Sequence, residues 1–97
     1  MAVMFSMEFT GVGPDTYDAI MKELGLDKKG AKWPKGILSH VAGKSPDGMC
    51  IVDVWESEAA YAKFREKQLM PAIQKVGGLP EPRAIVSKVH YRKTLKP

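Results

Sequence analysis

Apolar and polar residues alternate with a period of two in four stretches, which predicts four β-strands, over residues 2–9, 37–43, 49–55 and 83–93. Between these stretches, two segments place apolar side chains three or four residues apart, which predicts amphipathic helices. The first helix begins at Pro14 and stops at Gly25, and the second follows Ser57 as its N-cap. We expect Pro71 to end or kink the second helix near Met70.

The order strand, helix, strand, strand, helix, strand predicts an α+β, ferredoxin-like βαββαβ fold in one domain over residues 1–97. Right-handed crossovers give an antiparallel four-stranded sheet with the order 4-1-3-2 and both helices on one face. The strand over residues 49–55 is apolar on both of its faces, with Asp53 as its only charge. Because such a strand is normally covered on both sides, we expect the helix-free face to pair with a second copy in a homodimer.

Composition and charge narrow the compartment and the partners. Of the 97 residues, 44% are hydrophobic and 27% are charged, which is typical of a globular domain. The single cysteine excludes an internal disulfide, no apolar run approaches the roughly 20 residues of a membrane helix, and the N-terminus lacks the pattern of a signal peptide. We therefore expect a cytoplasmic protein without a membrane partner. Lysines cluster around Trp33, but no nucleic-acid-binding motif accompanies them, so we interpret this segment as a solvated loop.

Alternation along the strands also predicts a polar site. We expect three side chains of the third strand to face the helices: Cys50, Val52 and Val54. Its other face, inside the dimer, then carries Asp53 and Trp55. On the neighbouring strand, Ile37 and Val41 would pack against the helices, and His40 would share the face of Asp53.

A histidine beside a carboxylate in an apolar cavity has a definite chemistry. Asp53 would fix the tautomer of His40 and raise its basicity, which gives a general base able to deprotonate a phenol or an activated C–H group. Trp55 would form a flat wall for an aromatic ligand, and His90 and Glu8 are further candidate ligand-binding residues. The alternative is a purely structural hydrogen-bonded pair. We expect no metal site, because the two histidines lack the spacing of metal ligands.

Three segments carry a resemblance to a known family: HVAG at 40–43, VDVWESEAAYAKF at 52–64 and LMPAI at 69–73. On these segments the chain resembles, over nearly its whole length, the dimeric α/β-barrel superfamily and its antibiotic-biosynthesis-monooxygenase-like branch. The resemblance implies a homodimeric α/β barrel in which two sheets enclose a pocket for a small aromatic or polyketide-like ligand. The superfamily includes cofactor-free oxygenases, isomerases and haem-degrading enzymes, so the fold does not select the chemistry.

The haem-degrading branch uses an Asn on the first strand and a Trp and a His on the second helix. This chain contains no Asn, and the corresponding helix positions hold Phe64 and Gln74. We therefore expect no cofactor. Two function classes remain open: a cofactor-independent oxygenase or isomerase of aromatic substrates, and a non-catalytic, dimeric ligand-binding or stress-associated protein. Several ionisable groups converging on the cavity would favour the enzyme, and a lone His–Asp pair would favour the binding protein.

Overall fold

The computed structural model describes residues 1–77 and 79–95. Its elements, in chain order, are β1 Val3–Thr10, α1 Pro14–Leu24, β2 Ile37–Ser45, β3 Gly48–Trp55, α2 Glu58–Phe64, a π-helical turn Arg65–Leu69, α3 Met70–Val76 and β4 Arg83–Lys88. The four strands form one antiparallel sheet with the order β2-β3-β1-β4. This is the predicted ferredoxin-like arrangement, and the predicted fold class is confirmed. No helix among the described residues is long and apolar enough to cross a membrane.

The helix ends follow the local sequence signals. Pro14 opens α1, where its missing N–H group is not needed, and Gly25 ends α1 with a left-handed φ of 74°. The Ser57 side chain accepts a hydrogen bond from the backbone N–H of Ala60 at 3.1 Å, which caps the start of α2 as predicted.

The second helical segment continues through Pro71 to Val76, with a π turn ahead of the proline. The N–H of Met70 bonds to the carbonyl of Arg65, five residues earlier, and α3 then starts with Pro71 in its first turn. A proline there lacks only an N–H group that has no partner in the new turn. The predicted interruption is therefore a widened turn within a continuous helical segment, and the segment does not end at Met70.

The hydrophobic core lies between the sheet and the helices. The apolar face of β1 is buried there, as its alternation predicts: Val3, Phe5, Met7 and Phe9. Met49 and Trp55 of β3 join this core, and the side chain of Trp55 is 0% exposed. The prediction that Cys50, Val52 and Val54 face the helices is therefore wrong. Both faces of β3 are apolar, so hydrophobicity does not distinguish them, and the larger side chains fill the space under the helices.

A β-bulge in β2 accounts for the position of His40. Ile37 pairs with Trp55, but the register shifts between Ile37 and Ser39, so that His40 lies directly opposite Asp53. The extra residue brings both Ile37 and His40 to the helix-covered face, which strict alternation would not do. Val41, which we predicted to face the helices, points to the other side and is 62% exposed.

The other side of the sheet, which we call the helix-free face, is also apolar near its centre. Val41 and Val52 lie opposite each other on it, and Ile85 of β4 lies opposite Ser6. Ile85 is 65% exposed. A single chain therefore leaves apolar side chains on either side of Ser6 in contact with water on this face.

Candidate functional site

A cavity of about 180 Å³ lies between the helix-covered face of the sheet and the helices of one chain. Most of its wall is apolar and comes from α1, the central strands and the helical segment 58–76. Among the described residues that line it, six carry ionisable side chains: Tyr17, His40, Asp53, Tyr61, Arg65 and Glu81. This position differs from the expectation of a pocket enclosed by two sheets, because the polar residues of β2 and β3 face the helices.

The structure brings His40 and Asp53 together on this wall. Nδ1 of His40 lies 2.6 Å from Oδ1 of Asp53, and the two side chains are 18% and 9% exposed. They meet because the bulge in β2 makes them direct cross-strand neighbours. A carboxylate only accepts hydrogen bonds, so Nδ1 carries the proton and donates it to Asp53.

Trp55 holds the second oxygen of the Asp53 carboxylate. Its indole Nε1–H donates to Oδ2 of Asp53 at 3.3 Å, so both oxygens of this buried carboxylate have a donor. The indole ring packs at 5.5 Å, centroid to centroid, against both Tyr61 and Phe64. Trp55 is fully buried and does not line the cavity, so the prediction that it forms a flat wall for a ligand is wrong.

Tyr17 is the functional candidate that sequence reasoning missed. Its hydroxyl oxygen lies 2.6 Å from Nε2 of His40, and its ring lies 6.1 Å from the imidazole. With Nδ1 protonated, Nε2 of a neutral imidazole accepts, so the Tyr17 hydroxyl donates to it. Burial, aided by the negative charges of Asp53 and Asp18, raises the pKa of Tyr17 above its usual value, which keeps this hydroxyl protonated.

Only an indirect signal in the sequence points to Tyr17. It belongs to the amphipathic stripe of α1, and the periodicity of this stripe predicts only a buried helix face. A tyrosine in such a stripe carries a hydroxyl that needs a partner when it is buried. The partner is His40 of β2, which the bulge moves to the same side of the sheet.

A second tyrosine lies on the helical wall of the cavity. The ring of Tyr61 packs at 4.3 Å against Phe5, and its hydroxyl lies 3.9 Å from the sulfur of Met7. Burial raises the pKa of Tyr61, while the nearby positive charge of Arg65 acts in the opposite direction. Arg65 lines the same cavity as Tyr61.

Trp33, in the lysine-rich loop, lines the cavity at His40. The two ring centroids are 5.1 Å apart, and Trp33 is 40% exposed. The aromatic wall that we predicted for Trp55 is therefore supplied by Trp33. The loop returns to the sheet at Gly36, whose carbonyl accepts from the N–H of Glu56 at 2.8 Å. Gly36 has a φ of 98°, and a Cβ there would approach that of Ala60 to 2.7 Å, so this close contact favours glycine.

Two predicted site residues lie away from the cavity. Glu8 is paired with Cys50 on the helix-free face, because its alternation with the buried Phe9 directs it away from the helices. His90 is exposed and follows the end of β4, which stops at Lys88 and not at residue 93 as predicted. Neither residue lines the cavity. Within the described part of the chain, no group of three or more metal-ligating side chains comes together.

No family model matches the chain, and no curated protein matches its sequence. Solved structures do match it. A candidate antibiotic biosynthesis monooxygenase of Chloroflexus aurantiacus is 21% identical with a TM-score of 0.58, over 95% of this chain and 98% of that one. A single-residue mutant of SnoaB, a cofactor-independent oxygenase of Streptomyces nogalater, is 12% identical with a TM-score of 0.64, over 94% and 95% of the two chains.

A third match is a monooxygenase from the gene ActVA-Orf6 of Streptomyces coelicolor, in complex with nanaomycin D. It is 28% identical with a TM-score of 0.54, over 99% of this chain and 91% of that one. The chain has the antibiotic-biosynthesis-monooxygenase-like fold. The resemblance found in the sequence is thereby confirmed for the fold.

Within this monooxygenase-like fold, the two helix positions compared with the haem-degrading branch have different surroundings. Phe64 lines the cavity and packs against Trp55, whereas Gln74 is exposed on α3. The cavity wall at Phe64 is thus aromatic.

Proposed function

We propose that this protein is a cofactor-independent oxygenase of small hydroxylated aromatic compounds. The observation that carries this proposal is the hydrogen-bond chain Tyr17–His40–Asp53 on the wall of an otherwise apolar cavity. Tyr17, Tyr61 and Arg65 line this cavity together with the His40–Asp53 pair, and Glu81 also lines it. A set of ionisable groups larger than a lone His–Asp pair favours an enzyme over a binding protein. The similarity to SnoaB and to the ActVA-Orf6 monooxygenase supports the same reaction class.

The first step is removal of the phenolic proton of the substrate. Both ring nitrogens of His40 are already hydrogen-bonded, so the substrate hydroxyl donates to the oxygen of Tyr17. As Tyr17 accepts that proton, it passes its own proton to Nε2 of His40. Asp53 stabilises the resulting imidazolium, so the pair acts as a general base through Tyr17. The raised pKa of Tyr17 means that it relays a proton and does not remain ionised.

The substrate supplies every electron for the reaction with oxygen. The phenolate transfers one electron to O2, and the two radicals combine at the carbon para to the phenolate, which forms a C–O bond. His40 returns its proton to the peroxide; the proton on that carbon is then removed as the O–O bond breaks, and the hydroxide that leaves takes up this second proton to become water. The net change is arene C–H and O–H plus O2 to quinone plus water, so no reductant is needed.

The size of the cavity limits the substrate. A cavity of about 150 Å³ lined by apolar side chains is enough for benzene. The 180 Å³ found here therefore favours compounds of one or two rings. Trp33 and Phe64 offer aromatic surfaces on which such rings can pack.

We also propose that the protein is a homodimer through its helix-free face. On this face the exposed Val41 lies opposite the half-buried Val52, and the exposed Ile85 lies across Ser6 from Val52. A domain of 97 residues has a small core, and pairing these faces would remove the exposed apolar surface from water.

The test uses 1,5-dihydroxynaphthalene under air, with oxygen uptake and formation of 5-hydroxy-1,4-naphthoquinone followed together. We expect one O2 consumed per quinone, no hydrogen peroxide, and incorporation of one atom from 18O2. The His40→Gln variant should lose the reaction, and the His90→Gln variant should keep it, because His90 is exposed and remote from the cavity. If the wild-type protein binds 1,5-dihydroxynaphthalene but never forms the quinone, this result would contradict the oxygenase function and favour the ligand-binding alternative.

A further inference from the structure

One wall of the cavity carries a positive charge that the oxygenase reaction above does not use. Among the described residues that line the cavity, Arg65 alone has a permanent positive charge. No carboxylate of the described residues forms an ion pair with it, although Lys75 pairs with Glu23 at 3.2 Å on the neighbouring helices. Glu81 lines the same cavity and also remains apart from Arg65.

Arg65 lies at the start of the π turn and lines the cavity, although the residue is also exposed to solvent. Arg65 and Leu69 are the two ends of this turn, and both line the cavity. The two residues are four apart, and residues at this spacing lie on the same side of a helical segment. Such turns are frequent at functional sites.

The charge of Arg65 acts beside Tyr61, which lines the same cavity. It lowers the pKa of the Tyr61 hydroxyl, which opposes the effect of burial. Tyr61 packs on Phe5 of β1, whereas Tyr17 is bonded to His40 of β2, at the edge of the sheet. The cavity thus has a base near β2 and a cation on the wall that the helical segment 58–76 forms, and most of its other lining residues are apolar.

We propose that the substrate is a one- or two-ring hydroxyarene that carries a carboxylate, and that Arg65 binds this carboxylate. The inference rests on the proposed function and adds the acidic class of the substrate to it. Guanidinium and carboxylate match as bidentate partners, and their hydrogen bonds are stronger than those between neutral groups. The ring then spans the apolar part of the cavity with its hydroxyl toward Tyr17.

The experiment compares two probes that differ only in the acidic group, 6-hydroxy-2-naphthoic acid and 2-naphthol, by titration calorimetry. We expect the wild type to bind the acid more tightly than 2-naphthol. Arg65→Gln should weaken the affinity for the acid about tenfold and change the affinity for 2-naphthol less than about twofold. Arg65→Lys should be intermediate, because it keeps the charge without the planar fork. The matched control is Lys67→Gln, which removes a positive charge from the same π turn at an exposed position that does not line the cavity.

The outcomes separate this inference from the proposed function. If both probes bind equally and Arg65→Gln changes neither affinity, the proposal that Arg65 binds a substrate carboxylate is wrong, and the proposed oxygenase function is unaffected. A similar loss of affinity for the acid in Arg65→Gln and Lys67→Gln also overturns the inference, because the effect then comes from the overall charge of the protein. Failure of the wild type to bind either probe overturns both the proposed substrate class and this inference.

Discussion

The Tyr17 hydroxyl lies 2.6 Å from Nε2 of His40, and Nδ1 of the same ring lies 2.6 Å from Oδ1 of Asp53. The imidazole is therefore held from both sides, by a helix on one and by the adjacent strand on the other. This arrangement fixes the tautomer of His40 and leaves the oxygen of Tyr17 as the atom through which the pair can reach a ligand.

His40→Ala separates a catalytic role from a purely structural one. If the pair acts as a base, quinone formation should fall by about 10²–10⁴. The same change removes one of two donors from the buried Asp53 carboxylate, so the free energy of unfolding should fall by about 3 kcal/mol. Chemical denaturation and the oxygen-uptake assay measure the two effects separately.

The second variant needed for this comparison is Asp53→Asn, with His90→Ala as the control. Asp53→Asn keeps the size of the side chain but removes the charge that stabilises the imidazolium. The rate of quinone formation should therefore fall strongly, while the free energy of unfolding should fall less than it does in His40→Ala. His90→Ala should change neither, because His90 is exposed. Loss of stability without loss of activity in His40→Ala would show that the pair is structural.

The position of this site could be predicted only in part from the sequence. The pairing of His40 with Asp53 follows from the hairpin, because the two strands share a short turn around Pro46 and Asp47. Strict alternation led to the same pair, although it assigned both residues to the wrong face. Two errors cancelled each other. The predicted faces of β3 are the reverse of the observed ones, and the bulge between Ile37 and Ser39 likewise reverses the faces of the part of β2 that follows it.

The errors have physical causes that lie outside the local pattern. β3 is apolar on both faces, so its pattern cannot tell the helices from a second sheet; the burial of Trp55 under α2 decides it. Tyr17 was hidden for a different reason. Its contact with His40 joins residues on α1 and β2, and helix periodicity reports the buried stripe without naming the partner of a hydroxyl within it. The topology, in contrast, followed from element order and connection handedness.

The raised pKa of Tyr17 predicts how stability depends on alkaline pH. A tyrosine whose pKa is higher in the folded state than its usual 10.0 keeps its proton longer when folded than when unfolded. Its stabilising contribution is complete below about pH 10 and is lost as the pH rises through the folded pKa. Tyr61 shifts in the same direction.

Denaturation measured between about pH 8 and pH 11.5 tests this dependence. The free energy of unfolding should decline above about pH 10, and the decline should be shallower in Tyr17→Phe, which has no phenol to ionise at that position. Tyr91→Phe is the matched control, because Tyr91 is 77% exposed. An equal slope in Tyr17→Phe and the wild type would contradict the assignment of the effect to Tyr17.

The two tryptophans should differ in accessibility. Trp55 is 0% exposed beneath Tyr61 and Phe64, whereas Trp33 is 40% exposed on the lysine-rich loop. Iodide should therefore quench Trp33→Phe, which retains only Trp55, several-fold less than it quenches Trp55→Phe. Because Trp33 lies against His40, naphthol binding should also change the emission of Trp33. Efficient quenching of Trp55 in the folded protein would refute its position in the core.

The helix-free face predicts the oligomeric state. Sedimentation equilibrium at micromolar concentration should give twice the chain mass of 10.7 kDa. Ile85 is 65% exposed on this face, whereas its neighbour Val86 is 49% exposed and lies opposite Phe5 on the helix-covered side. Ile85→Lys should therefore give a monomer, because pairing would bury an unpaired charge, while Val86→Lys should stay dimeric. Dissociation by Val86→Lys but not by Ile85→Lys would assign the interface to the other side of the sheet, and a stable wild-type monomer would remove the dimer altogether.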